Sequence, residues 1–287
     1  MPEKVKIIEC PRDAMQGIKS IIPTERKIAY IQSLLGCGFD TIDFGSFVSP
    51  KAIPQMADTA EVLSNLDLTN SKSKLLAIVA NVRGANEASL HHNIDYLGYP
   101  FSISENFQMR NTHKTIAQSI NILSDILEIA QATNKEVVTY VSMGFGNPYG
   151  DPWSVEVVGE WTEKLAEMGA RILSLSDTVG SSTPEDISYL FTHLIPKYPQ
   201  VEFGAHLHTT PGKWHEKMDA AYRAGCRRFD GAIKGFGGCP MARDELTGNM
   251  PTEKMLSYFT ENKVNTGVQW MVFEAAYNKA SELFSSY

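Results

Sequence analysis

The sequence has little of what marks secreted, membrane-spanning or nucleic-acid-binding proteins. Only four cysteines occur in 287 residues, and they form no C-x-x-C pair, which favours free thiols in a reducing, cytoplasmic compartment. No run approaches the roughly 18 apolar residues of a membrane span, and the first residues contain no apolar signal core. The net charge of −7 gives no electrostatic case for nucleic acid or an anionic membrane, although a small anionic substrate stays possible.

Phosphate-binding loops are also missing, since neither G-x-G-x-x-G nor a P-loop pattern occurs. What is present is a regular alternation of short apolar runs and segments with helical periodicity. The apolar runs predict eight strands, over residues 5–10, 41–44, 75–79, 96–101, 136–141, 171–176, 201–207 and 228–232. Helical spacing predicts helices between them, including residues 24–35, 111–132, 154–168 and 213–224.

A short pattern recurs where the helices end. At Gly38, Gly169 and Gly225 a helix stops at glycine, a very short loop follows, and an apolar strand begins. Eight strands in this alternation favour an α/β fold of the (β/α)8 TIM-barrel type over an open sheet. We expect residues 1–287 to form one catalytic domain with additional C-terminal helices. Residues 268–287 are expected to cap the barrel or join a subunit interface, with core packing favoured.

In such a barrel, functional side chains gather at the carboxyl ends of the strands. Several polar residues of this chain are expected at those ends. They are Arg12, Asp13, Asp43, Ser176, Asp177, Thr178, His206, His208 and the segment from Cys239 to Asn249. Residues distant in sequence are therefore predicted to meet at one rim.

The segment His206-Leu207-His208 is the most informative of these. Alternate residues of a strand project from the same face, so two imidazoles can converge on one metal ion. Asp13 would complete a set of two histidines and one carboxylate, and Asn249 could add an amide oxygen. This set suits Mg²⁺, Mn²⁺, Fe²⁺ or Zn²⁺ and leaves positions open for substrate oxygens.

Each of these residues also has a plainer interpretation. Asp13 could be an N-cap or turn residue, and Asn249 could belong to a turn. Arg12 could simply pair with Asp13, or it could stabilise an enolate oxygen as charge develops. Asp43 could orient that arginine, bind a water on the metal, or end a strand at the surface.

A glycine-rich segment with one thiol follows the eighth predicted strand. In Gly235-Phe236-Gly237-Gly238-Cys239-Pro240, glycines indicate a loop that can close over a site. A thiol in such a loop suits proton transfer or nucleophilic attack, and an inert loop cysteine is the alternative.

Taken together, these motifs resemble 3-hydroxy-3-methylglutaryl-CoA lyase, within the superfamily of metal-dependent TIM-barrel lyases and synthases. The matching segments are Pro11-Arg12-Asp13-Ala14-Met15-Gln16, Gly45-Ser46-Phe47-Val48-Ser49-Pro50-Lys51, Pro54-Gln55-Met56, Ser176-Asp177-Thr178-Val179-Gly180, Thr183-Pro184, His206-Leu207-His208, Gly235-Phe236-Gly237-Gly238-Cys239-Pro240 and Gly248-Asn249.

The resemblance implies a metal-dependent retro-Claisen cleavage of an acyl-CoA, giving acetyl-CoA and a keto acid, which is acetoacetate for the standard substrate. The metal, Mg²⁺ or Mn²⁺, would be held by Asp13, His206, His208 and Asn249. Catalytic roles would fall to four residues: Arg12 at the thioester carbonyl, Asp13, Asp43 as a supporting acid, and Cys239 as the loop cysteine. Lys19 matches a position that contacts CoA, with a solvated surface lysine as its alternative. A homodimer is a family expectation.

This chain departs from the family pattern at several places near the predicted rim. Aspartate stands at position 43 where glutamate is usual, Thr209 follows the histidines where aspartate is usual, and Ala14 and Met241 also differ. We expect the chemistry to be retained and the shape of the substrate to differ. Two alternatives remain: a Claisen-type condensing synthase of the same superfamily, and an inactive barrel that acts as a binding scaffold.

Overall fold

Eight parallel strands form a closed barrel in the computed structural model, which describes residues 4–238 and 247–287. The strands are β1 (Lys6–Glu9), β2 (Thr41–Ser46), β3 (Lys74–Ile78), β4 (Tyr96–Ser102), β5 (Glu136–Ser142), β6 (Ile172–Asp177), β7 (Glu202–Thr209) and β8 (Arg228–Gly231). Each strand pairs with the next, and β8 returns to pair with β1. The predicted (β/α)8 TIM barrel is confirmed.

Helices surround the barrel and cover its outer face. They are α1 (Pro11–Gln16), α2 (Thr24–Leu35), α3 (Thr59–Ser64), α4 (Val82–Ser89), α5 (Glu105–Thr112), α6 (Ile116–Ala132), α7 (Val155–Glu167), α8 (Pro184–Lys197), α9 (Trp214–Arg223), α10 (Thr252–Glu261) and α11 (Trp270–Phe284). Two 3-10 turns lie at Pro54–Met56 and Ile233–Gly235. In the described ranges, none of the helices has the length and apolar character needed to span a bilayer.

Glycine acts at the helix ends as the sequence suggests. Gly169 and Gly225 follow α7 and α9 with a φ of +100°, a left-handed conformation that a residue with a β-carbon rarely adopts. The chain can therefore turn within a few residues from the end of a helix into the next strand.

The prediction of one helix over residues 111–132 is wrong. Helix α5 ends at Thr112, His113 takes a left-handed conformation, and α6 begins at Ile116. Thr115 and Gln118 form a capping box, in which each side chain bonds to the backbone of the other residue. That pair satisfies backbone N–H groups at a new helix start, so it favours a break over a continuous helix.

The C-terminal helix α11 packs against α2 on the outside of the barrel. Its buried face contains Phe273, Ala276, Ala280 and Leu283, and Phe284 meets the ring of Tyr30 edge to face with centroids 5.9 Å apart. In the structure this segment therefore packs against the barrel's helices. The interface role and the assignment of residues 1–287 to one domain stay predictions.

Candidate active site

Asp13, His206 and His208 lie together at the carboxyl end of the barrel. One ligand atom from each side chain falls within 4.8 Å of the other two. Asp13 and His208 are buried, and His206 is partly buried. The group lies along the wall of a cavity of about 330 Å³ at the barrel mouth.

Local sequence explains how these side chains reach one point. Helix α1 begins directly after β1 with Pro11 at its first position, where the missing N–H costs nothing. Asp13 therefore lies in the first helical turn, above the strand end. The alternative that Asp13 is an N-cap residue is wrong, since Cys10 occupies that position. His206 and His208 alternate along β7 and share its inward face.

The protonation states of Asp13 and His208 suit a metal ion. Burial tends to raise the pKa of Asp13, but Arg12 and the two histidines outweigh it and hold the pKa at about 2. Burial and the neighbouring His206 lower the pKa of His208 to about 4. Both groups are therefore deprotonated at neutral pH, which metal binding requires. The buried Nε2 atom of His208 has no partner among the described residues, as expected of a nitrogen reserved for a cation.

The other ring nitrogen of each histidine, Nδ1, contacts an oxygen atom on the side away from the metal group. His206 Nδ1 lies 3.1 Å from Asp230 Oδ2, and His208 Nδ1 lies 3.0 Å from the carbonyl oxygen of Thr178. Such contacts leave Nε2 as the free nitrogen of each ring. Burial alone would lower the pKa of His206, but the bond to Asp230 reverses the shift, so the net change is upward. Sequence reasoning missed Asp230, although its place two residues into the eighth strand was a usable signal.

A buried lysine reinforces the backbone beneath His208. Lys217 of α9 donates to Asp177 Oδ2 at 2.7 Å and to the carbonyl oxygens of His208 and Gly180. Asp177 therefore faces away from the cavity, where it joins the end of β6 to β7. Its place in the matched motif reflects support for the site.

Asn249 lies beside the metal group because of a strand that sequence reasoning did not foresee. The two-residue β9 (Gly248–Asn249) pairs antiparallel with β7, with Asn249 opposite His208. The turn alternative is therefore wrong. The amide nitrogen of Asn249 donates to Asp13 Oδ2 at 2.6 Å and to the carbonyl oxygen of Phe236. Since the two ends of the amide exchange on rotation by about 180°, an oxygen-donor role remains a prediction.

Arg12 is held on two sides by carboxylates. Its Nε and Nη2 donate to Asp43, and its Nη1 donates to Asp13 Oδ1 at 2.9 Å. Burial opposes the charge of Arg12, but the two carboxylates raise its pKa above the usual value. Asp43 is fully buried, so it is no surface strand end, and it orients Arg12 as one alternative predicted. Gln16, which the sequence analysis left without a role, donates to Asp13 Oδ1 at 2.9 Å.

Cys10 forms a second group with the same histidine. Its thiol, His206 and Asp230 also offer ligand atoms within 4.8 Å of one another. Burial and the nearby Asp230 raise the pKa of Cys10 well above the usual value, which keeps the thiol protonated. The oxygen and nitrogen donors of Asp13, His206 and His208 are the better set for a hard divalent cation.

The cavity at the barrel mouth has two different walls. One wall is polar and holds the metal group together with Arg12 and Gln16. The other wall is apolar, with side chains from β3, β4, α5 and the loops after β2 and β3. It contains Val48, Ala52, Ile53, Ile78, Ala80, Pro100 and Phe107. A substrate with a polar reacting end and an apolar body would match both walls.

Two predicted residues are not part of this arrangement as described. Lys19 is exposed on the segment after α1 and does not line the cavity. Cys239 lies outside the described residues, as does Met241. Gly238, its neighbour, does line the cavity, so the described part of the glycine loop reaches the site.

Comparison with known proteins assigns this chain to a family. The HMGL-like family model matches residues 4–278. The mitochondrial hydroxymethylglutaryl-CoA lyase of Mus musculus is 33% identical over 271 residues, covering 93% of this chain and 82% of the relative. The crystal structure of the HMG-CoA lyase from Brucella melitensis has a TM-score of 0.91 and 32% identity, covering 98% of this chain and 99% of that one.

A further solved structure is described as containing ligands. An HMG-CoA lyase from Acinetobacter baumannii, in complex with coenzyme A and 3-methylmalate, has a TM-score of 0.89 and 30% identity. The match covers 98% of this chain and 91% of that one. By its sequence and by its barrel, this chain belongs to the HMGL-like family.

Proposed function

We propose that this protein is a carbon–carbon lyase that cleaves 3-hydroxy-3-methylglutaryl-CoA, or a closely related 3-hydroxyacyl-CoA, to acetyl-CoA and a keto acid. The keto acid is acetoacetate when the substrate carries the methylglutaryl group. The observation that carries the proposal is the group of Asp13, His206 and His208 beside Arg12 in the cavity. Membership of the HMGL-like family and the named lyase relatives support the same reaction.

Asp13, His206 and His208 are the residues that would hold a divalent cation, and Asn249 is the proposed fourth ligand. Mg²⁺ or Mn²⁺ fits a set with a carboxylate, an amide oxygen and two imidazoles. When bound, such a cation supplies Lewis-acid polarisation of substrate oxygens and lowers the pKa of the tertiary hydroxyl.

The bond cleavage moves one proton and one electron pair. A base removes the hydroxyl proton, the C2–C3 bond breaks, and its electrons form the enolate of the acetyl thioester while C3 becomes a ketone. Arg12 lies where it can receive the developing oxyanion. Its bonds to Asp13 and Asp43 leave N–H groups of the guanidinium without partners among the described residues.

Proton transfer at carbon completes the reaction. We assign the protonation of C2 to Cys239, because Gly238 lines the cavity and the thiol follows directly in the chain. Asp13, a water molecule or Cys239 can act as the initial base. The pKa of Asp13, about 2, makes its carboxylate a weak base on its own.

The CoA portion is proposed to extend from the cavity toward the exposed surface near Lys19. The coenzyme A reported for the Acinetobacter baumannii lyase supports an acyl-CoA partner.

The described cysteines, Cys10, Cys37 and Cys226, are buried and unpaired, which supports the proposed reducing, cytoplasmic location.

The decisive experiment supplies the metal-stripped protein with 3-hydroxy-3-methylglutaryl-CoA and either Mg²⁺ or Mn²⁺. We expect equal amounts of acetyl-CoA and acetoacetate, and no product when a chelator is present. A panel of 3-hydroxyacyl-CoAs with larger groups at C3 would define the acyl preference. The absence of acetyl-CoA from every member would contradict the proposal.

The role of Cys239 has its own test in the same assay. Cys239→Ala should keep the fold and lower turnover by about two orders of magnitude or more, as expected when a proton donor is lost. Cys37→Ala is the matched control, since Cys37 is buried away from the cavity and should leave turnover near normal. Near-normal turnover of Cys239→Ala would refute its assignment.

A further inference from the structure

A fully buried arginine lies inside the barrel below the active site. Arg228 begins β8, its side chain is 0% exposed, and Nε, Nη1 and Nη2 all lack hydrogen-bond partners among the described residues. A buried charge without a counter-charge is strongly unfavourable. The position of Arg228 therefore calls for an electrostatic explanation.

The surroundings of Arg228 include one negatively charged side chain on the same strand. Asp230 lies two residues further along β8 and so shares the same face of the strand. It is 2% exposed, and its Oδ1 atom has no partner among the described residues. Burial by itself would lower the pKa of Arg228, but Asp230, and then Tyr140, raise it above its usual value.

The space around the guanidinium is set by a glycine and an aromatic ring. A β-carbon on Gly204 of the neighbouring strand would lie 3.2 Å from Arg228 Cδ and 3.1 Å from Ser174 Oγ. The guanidinium carbon lies 5.5 Å from the ring centroid of Tyr96, within cation–π range. Arg228 is thus held inside the barrel, where the low dielectric strengthens its interaction with Asp230.

Asp230 in turn connects this charge to a proposed metal ligand. Its other oxygen, Oδ2, lies 3.1 Å from His206 Nδ1, and the His206 ring belongs to the group with Asp13 and His208. Arg228 therefore interacts electrostatically with Asp230 across one face of β8, and Asp230 contacts His206 at the site. We name these three residues the Arg228–Asp230–His206 link.

We propose that Arg228 is a positioning residue for the metal site: its fixed positive charge balances the Asp230 carboxylate inside the barrel, and Asp230 holds the His206 imidazole in the orientation that a metal ion needs. The inference rests on the metal site of the proposed function. It adds a residue that touches neither substrate nor metal and acts through Asp230.

The experiment measures Mn²⁺ binding to the metal-stripped protein by calorimetry, without substrate. Arg228→Met and Arg228→Gln remove the charge, and each should weaken Mn²⁺ binding about 10-fold or more, as is usual when a ligand loses its support. Arg228→Lys keeps the charge and should stay within about threefold of the parent. Two neutral variants are used so that one can decide the question if the other does not fold.

A matched control is available at the same aromatic ring. Lys74 Nζ lies 4.8 Å from the ring centroid of Tyr96 and bonds to its hydroxyl at 2.8 Å, and no interaction joins it to Asp230 among the described residues. Lys74→Met removes a cation from this ring but leaves the Arg228–Asp230–His206 link intact. Its Mn²⁺ affinity should equal that of the parent.

A double-mutant cycle separates positioning from simple packing. Asp230→Asn should weaken Mn²⁺ binding, and adding Arg228→Met should change the affinity little further, because both act through one link. Fully additive losses would overturn the inference, as would parent-like binding by the neutral variants or a loss in Arg228→Lys equal to that in Arg228→Met. If the parent itself bound no Mn²⁺, the proposed metal site would fail, and this inference with it.

Discussion

Gly237 packs directly against the backbone of Asp13. A β-carbon at position 237 would lie 2.5 Å from the carbonyl oxygen of Asp13, and the φ of Gly237 is +81°. Only glycine meets both conditions without strain. The start of the glycine-rich loop is therefore seated on the helix that carries a proposed metal ligand.

This contact predicts that Gly237→Ala impairs the site more than the fold. The added methyl group must push the loop away from Asp13, which displaces Gly238 at the cavity. We expect turnover to fall at least about 10-fold, since small displacements of positioned groups are costly, and the melting temperature to change little. Gly212→Ala is the control, because its β-carbon would meet nothing within 4 Å. Unchanged turnover in Gly237→Ala would show that the contact has no functional part.

His208→Ala is expected to abolish metal binding and the response of the protein to metal. The imidazole offers a neutral, unpartnered Nε2 to the site, with a pKa of about 4, so its loss removes a ligand that no nearby described residue replaces. Calorimetry should show Mn²⁺ binding weakened about 100-fold or beyond detection. His193→Ala is the control, since that exposed ring stacks on Tyr189 and bonds to its carbonyl oxygen, outside the site. A parent-like response to chelator in His208→Ala would contradict the site.

Arg12→Lys is expected to lower turnover although the charge is kept. A lysine ammonium cannot reproduce the forked contacts of Arg12 with Asp43 while also donating to Asp13 and to a substrate oxygen. A loss of roughly 100-fold in kcat would match the removal of one oxyanion donor, about 3 kcal/mol. The surface change Arg223→Lys should be neutral, because its pair with Asp219 is exposed. Equal turnover in the two variants would refute the role of Arg12.

Glu9 predicts how the stability of the protein depends on pH. Burial raises its pKa from 4.5 to about 8, although Thr252 and the backbone of Ile233 bond to its carboxyl group. Between these values the folded chain keeps a proton that the unfolded chain has released. The free energy of unfolding should therefore fall as pH rises from about 5 to 8, by up to about 1.4 kcal/mol per unit from this group.

Glu9→Gln should remove that slope, because its amide stays neutral and can bond to the same partners. Denaturant unfolding at several pH values measures the effect, with the exposed Glu163→Gln as control. Identical slopes in Glu9→Gln and the parent would show that Glu9 is charged in the folded protein.

Much of the fold follows from local sequence. The eight strands were predictable because each apolar run is short and is bounded by glycine or polar residues, and Gly169 and Gly225 act where the pattern indicated. The break between α5 and α6 was missed because the periodicity continues across it. The capping residues Thr115 and Gln118 were the available signal.

The supporting contacts of the site were harder to foresee. The ring nitrogens of the histidines contact Asp230 and the carbonyl oxygen of Thr178, and Lys217 bonds to the backbone of His208. No sequence motif joins these supporting residues to the two histidines. Their roles depend on which strands are neighbours around a closed barrel. Arg228 is a similar case, because its burial follows from its position inside the barrel and is not visible in the sequence around it.

The sequence by itself determined the barrel, the rim at which polar residues meet, and the chemical types of the donors, because periodicity and residue chemistry are local properties. Only the tertiary structure decided that Asn249 lies opposite His208. It also decided that Arg12 donates hydrogen bonds to Asp43 and that His206 Nδ1 contacts Asp230. Those relationships join residues far apart in the chain. They exist because the strands close into a ring and a short ninth strand folds back onto the seventh.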